Sequence, residues 1–147
     1  MNVRWTPQLS SNLRLLARRA VGMWLDIFIA SLIPVLIYWL LIAVGSLADP
    51  NAGVYALTWA TGILAFAYRV WCESQGRPSL GHNATKVEVI GSKDLATAAQ
   101  RNAWILLMPI HDVVAFIVAL GICIMVLFNR AHVGDIWART TVIEREY

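Results

Sequence analysis

Three long apolar stretches divide this chain: Ala20 to Ala48, Val54 to Cys72, and a region from about 95 to 128 whose apolar part runs from Ala103 to Phe128. The first amounts to about 43 Å of helix at ~1.5 Å per residue, enough to cross a ~30 Å hydrocarbon core with tilt. Pro34 predicts a kink in it. Asp49-Pro50-Asn51-Ala52-Gly53 reads as a tight turn, so the first two stretches form a transmembrane hairpin. Ahead of them, Leu9, Leu13 and Leu16 recur at helical spacing among Arg14, Arg18 and Arg19. That pattern suits an amphipathic helix lying in the interface, and a disordered basic arm is the competing reading. The chain thus divides into an arm over 1–19 and a membrane domain over 20–147.

Residues 73–94 are polar and glycine-rich, with one strand-like run, Lys86 to Ile90, in which valines alternate with charges. A second such run, Thr140 to Ile143, lies in the tail 129–147, and short strands need a partner. Pairing the two puts both on one side of the membrane. Arginine placement points the same way. Four arginines precede the first stretch, none lies in its turn, and Arg130, Arg139 and Arg145 follow the last stretch. Both termini are therefore expected in the cytoplasm. That topology requires the third region to enter and leave on one face as a hairpin bent near Pro109-Ile110-His111-Asp112. A single tilted span with an external C-terminus is the alternative. The expected fold class is an all-α membrane protein with a small cytoplasmic two-strand element.

Composition supports a membrane protein: 59% of the 147 residues are hydrophobic and 14% charged, with a mean hydropathy of +0.61. The net charge of +3 lies outside the apolar runs, as expected of anchors to anionic headgroups. No contiguous basic face suggests nucleic-acid binding. The first apolar run is too long for a signal-peptide core. Cys72 and Cys123 stand apart and read as free thiols. His82 and His132 have no ligand spacing, so neither a metal nor another cofactor is expected. No nucleophile, base and orienting group occur together, so no enzyme activity is expected. Asn83-Ala84-Thr85 is a chance glycosylation triplet if its loop is cytoplasmic.

Candidate chemistry begins with Asp26, two helical turns into the first stretch, where a carboxylate needs a partner, a proton or water. Arg19 shares its helical face but lies about 10 Å away along the axis. Gly22, Ala30 and Pro34 make a small-residue stripe around Asp26 that admits another helix. Gly62, Ala65 and Arg69 form a matching stripe on the second stretch. Because that helix runs back, Arg69 returns to the depth of Asp26 and is its expected ion partner, with Arg101 competing. Such a pair serves register more readily than transport. His111-Asp112 reads equally as a proton relay in a bend or as a polar break at the interface. Asp135 reads as the cap of Ile136-Trp137-Ala138 or as a partner of Arg19.

Arg19, Asp26 and Asp135 together resemble the signature of the RDD family, named for an arginine at the start of the first membrane helix, an aspartate within it and another near the C-terminal end. Gly76-Arg77-Pro78-Ser79-Leu80-Gly81-His82 is similar to the family's loop signature, with His82 where lysine is usual. Lys86 to Ile90, Arg101-Asn102 and Val133 to Val142 continue the likeness, with Arg139 replacing a small residue, often glycine. The resemblance runs from Leu16 onward and implies a bacterial inner-membrane protein; some members are thought to take part in transport, including cation/proton exchange. Two functions follow as expectations. One is an accessory or scaffold protein assembling with a larger membrane complex or with its own copies. Its support is the scant room for a solute path and seven tryptophans available as anchors. The other is an oligomeric exchanger in which Asp26 cycles between proton and cation.

Overall fold

The computed structural model describes residues 6–47, 49–91 and 93–144; Ala48 and Arg145, used above, lie outside them. Helix α1 runs from Thr6 to Ala43 and α2 from Pro50 to Ser74. Asp49 caps α2 by accepting the Asn51 N–H, and Pro50 occupies the first turn, where a missing N–H costs nothing. The arm is therefore helical and continuous with the first apolar stretch, and α1 passes through Pro34 without ending. Leucines at helical spacing carry the helix back across the arginines. Its inward stripe is Asn12, Leu15, Gly22, Asp26 and Pro34.

Beyond α2 come α3 (Leu80–Ala84), β1 (Val87–Ile90), α4 (Leu95–Asn102) and a 3₁₀ turn at Ala103–Leu107. Then follow α5 (Asp112–Asn129), α6 (Val133–Trp137) and β2 (Thr141–Glu144). The third apolar region is bent, not one continuous helix. Pro109 cannot donate the next helical N–H, and His111 restarts the helix by accepting the Val113 N–H on Nδ1. Its two ends meet: β1 pairs antiparallel with β2, Val89 opposite Val142, and α6 packs on α4. The start of α1 joins them. Asn12 donates to the Leu127 carbonyl, Arg14 and Arg18 pair with Glu144, and Leu15, Val87 and Val142 form a small core.

Among the described residues, two helices are long and apolar enough to cross a membrane, Leu9–Ala43 and Asp112–Asn129. Expected as a full span, α2 has the length, 25 residues, but its threonines, aromatics and Arg69 dilute its hydropathy. The small-residue stripes also serve different neighbours from those expected. Gly22 faces the α3 loop, where a Cβ would lie 3.0 Å from the Gly81 carbonyl oxygen. Gly62 receives the tip of the bend, where a Cβ would lie 2.7 Å from Pro109 Cγ.

Arg139 sits at φ +53°, in the left-handed region, which costs a side-chain-bearing residue about 1 kcal/mol. Glycine suits this corner, where the chain turns from α6 into β2. Arg139→Gly should hold or raise the melting temperature in detergent, whereas the β-branched Arg139→Val should lower it.

Candidate functional site

The buried charges form one network at the end of the molecule that carries the sheet. At its inner limit Asp26, fully buried on α1, accepts three donors. Arg69 Nη1 donates to Oδ2 at 2.8 Å, the Ser79 hydroxyl to Oδ2 at 2.6 Å, and the Gly81 N–H to Oδ1 at 2.8 Å. The loop that delivers the last two is set by Ser79, whose Oγ also accepts the His82 N–H and caps α3. Gly81 has no alternative: a Cβ there would overlap the Gly22 carbonyl and lie 2.8 Å from Asp26 Oδ1.

Arg69 carries the network outward. Its Nε donates to Asn102 Oδ1 at 2.9 Å, and Nη2 lies 3.5 Å from Glu73 and 3.0 Å from His82 Nε2. A guanidinium only donates, so His82 Nε2 is the acceptor and the ring proton sits on Nδ1. Glu73 also accepts from Asn102 and pairs with Arg101 Nη1 at 2.8 Å. Arg101 Nε then donates to Asp135 Oδ1 at 2.8 Å, and Arg19 Nη2 meets Asp135 Oδ2 at 2.7 Å. Read in order, Asp26, Arg69, Glu73, Arg101, Asp135 and Arg19 alternate in sign. Three carboxylates meet three guanidiniums.

Asp135 and His132 close a capping box on α6: His132 Nδ1 accepts the Asp135 N–H and Asp135 Oδ2 accepts the His132 N–H. Gly134 lets the α6 backbone press on the Arg101 carbonyl. Burial pushes the Asp135 carboxyl up, but Arg19 and Arg101 outweigh it and bring it down to about 2. Burial lowers His132 to about 3, with Asp135 opposing and the arginines assisting. His82 is likewise driven well below 6.5 by burial and by Arg69. Both imidazoles are neutral, so they leave the balance of the six charges unchanged.

Arg69 meets Asp26, as the antiparallel hairpin implies, and Arg19 meets Asp135. Arg101 pairs with Glu73 and Asp135 instead of competing for Asp26. His111 and Asp112 are exposed at the bend, away from this cluster. Sequence reasoning missed Glu73, Asn102, Ser79, Gly81 and the histidines as network members. Two signals were available: Glu73 stands four residues after Arg69, the spacing of a helical ion pair, and Ser79 and Gly81 belong to a recognised loop motif. Among the described residues no cluster of metal-ligating side chains occurs.

The sequence profile of the RDD family matches residues 13–139. Neither a curated protein nor a solved structure matches the chain.

Asp135 binds its proton more weakly folded than unfolded, so its contribution is complete above about pH 4 and is lost as pH falls from its ordinary 3.8 toward 2. The unfolded chain protonates His132 near 6.5 and the fold resists until about 3, so stability also falls across that interval. The melting temperature in detergent should therefore decline from pH 6.5 downward, and less steeply in His132→Asn, which keeps a capping side chain. Asp135→Asn at pH 7 should cost up to about 3–5 kcal/mol, because it leaves Arg19 without a carboxylate and Arg101 with Glu73 alone. Equilibrium unfolding measures both.

Proposed function

The chain belongs to the RDD family of membrane proteins, and on that premise we propose that it is a non-enzymatic accessory or scaffold subunit that assembles with its own copies or with a larger membrane complex. The observation that carries this reading is the bend. Pro109 packs on Gly62, midway along α2, and the adjoining Ile110, His111, Asp112 and Val113 are all exposed. If α1 and α2 cross the bilayer, an exposed aspartate at that level costs about 2.5–3.5 kcal/mol even on insertion scales, so another protein surface or a water-filled cavity has to cover it.

Aromatic placement supports the crossing. Exposed Trp24 and Trp71 stand at one level of the α1–α2 hairpin, and Trp39 and Tyr55 at another, about 22 Å away along α1 at ~1.5 Å per residue. Such pairs suit the two interfaces of a bilayer. In this orientation the ionic network lies at the inner interface, with the sheet and both chain ends in the cytoplasm of a bacterial inner membrane. The arginines of α1 then face anionic headgroups.

Asp26 supports the structural role over exchange. Fully buried, with its oxygens already holding an arginine, a hydroxyl and a backbone N–H, it has no ready vacancy for a cation. An exchanger remains the second reading because the same uncovered Asp112 would suit an aqueous path between copies.

The test replaces Ile110 with cysteine in a variant lacking Cys72 and Cys123, and applies a short bifunctional maleimide to intact membranes. Assembly through the bend predicts a discrete cross-linked species that Asp112→Leu changes in yield by several-fold. A monomer with no cross-link, combined with cation-driven proton flux in vesicles that Asp112→Asn abolishes, would reverse the order of the two readings. Asp26→Asn should reduce the amount of folded protein in the membrane in either case, by immunoblot of the detergent-soluble fraction.

A further inference from the structure

Beside the network lies a cavity of about 40 Å³, walled by charged and apolar side chains together, that none of its pairings fills. A water needs about 10–15 Å³ by this measure, so the space holds a few water-sized atoms, the size of a small polyatomic ion and far less than a nucleotide. Its walls come from the end of α2, the loop before α3, β1, and the polar face of α4. Three cationic side chains line it, Arg77, Lys93 and Arg101, against two carboxylates, Glu73 and Glu88. His82, also in the wall, is neutral.

The carboxylates do not suit a cation here. Glu73 is already held by Arg69, Arg101 and Asn102, and Glu88 is not free of partners. Nearby Asp94 turns onto its own helix, accepting from the Thr97 N–H and hydroxyl. The donors, by contrast, are in surplus. Arg101 is 2% exposed, and its Nη1, though 2.8 Å from Glu73 Oε2, is buried and makes no hydrogen bond. The contact satisfies charge but not direction, and a buried N–H left without an acceptor is costly. Lys93 is drawn over Gly76, where a Cβ would lie 3.3 Å from its Nζ. Gly76 itself has φ +67°, so the absence of a side chain there both shapes the loop and makes room for the ammonium.

We propose that this cavity is a binding site for a small tetrahedral oxyanion, a phosphate group, with Arg101 at its base and Lys93 and Arg77 at its mouth. The group has two sources, free inorganic phosphate or the headgroup of an anionic phospholipid reaching the loop from the interface. Either supplies acceptors for the unspent Arg101 N–H and offsets the cationic surplus of the wall. The inference does not depend on the assembly reading.

The test uses the full chain in neutral detergent. Its melting temperature is titrated with inorganic phosphate at constant ionic strength balanced by chloride. Arg77→Gln/Lys93→Gln, two exposed positions outside the network, should leave the unliganded melting temperature unchanged. Lys93→Gln alone serves if the double variant folds poorly. The expected result is a saturable rise that needs at least ten-fold more phosphate in the variant. Repeating the titration in phosphatidylcholine nanodiscs with and without phosphatidylglycerol separates the sources: a rise with the anionic lipid that removes the response to added phosphate assigns the headgroup, and an undiminished response assigns free phosphate. No effect of phosphate or of phosphatidylglycerol beyond that of chloride, or an unchanged titration in both variants, overturns the site.

Discussion

Six charges of alternating sign, four of them buried and Glu73 and Arg19 largely so, hold this molecule in its arrangement. Asp26 and Arg19 come from α1, Arg69 and Glu73 from α2, Arg101 from α4 and Asp135 from α6, so each link joins segments that are distant in sequence or fixes one turn of a helix. The apolar contacts cannot do this alone. Among the described residues the buried hydrophobic ones are few and scattered, and the core beneath the strand ribbon has three members. Most of the large apolar side chains on α1, α2 and α5 face outward, as a bilayer requires and as water would not allow.

Buried ion pairs are not in themselves a strong source of stability, because desolvation offsets most of the attraction. Their effect is on which structure forms. Removing one partner leaves a bare charge in a low-dielectric setting, so every alternative register of the helices is heavily penalised. The same logic explains the neutral histidines. His82 serves Arg69 as an acceptor where an ammonium would add a cation, and His132 caps α6 without disturbing the count. The oxyanion cavity is the place where this balance is left with a surplus of donors.

Much of this architecture was legible in the sequence. Apolar run lengths and the Asp-Pro turn give the hairpin, and helical depth alone brings Arg69 to Asp26. Alternating valines anticipate the ribbon between the residue 87–90 and 141–144 segments. What sequence could not supply was the content of the polar loop: Ser79 and Gly81 reach Asp26 only because Gly22 and Gly81 allow backbone to approach backbone, a steric fact with no periodicity to reveal it. Glu73 was obscured by its position at the end of an apolar run, where a carboxylate reads as an exposed helix end. The leucine spacing anticipates a helix through Arg14, Arg18 and Arg19, but not that it runs unbroken into the first apolar stretch, because the polar arm reads as a separate interfacial element. The rule linking glycine to left-handed backbone explains why Arg139 looks out of place in its motif.

Asp26 and Asp135 belong to one energetic unit through Arg69, Glu73 and Arg101, which connect them in turn. A double-mutant cycle of Asp26→Asn and Asp135→Asn, read by equilibrium unfolding in detergent at pH 7, tests it directly. A single network predicts a coupling energy of at least about 0.5 kcal/mol between the two substitutions, whereas independent ion pairs would add to within about 0.3–0.5 kcal/mol, and that additivity would contradict the account.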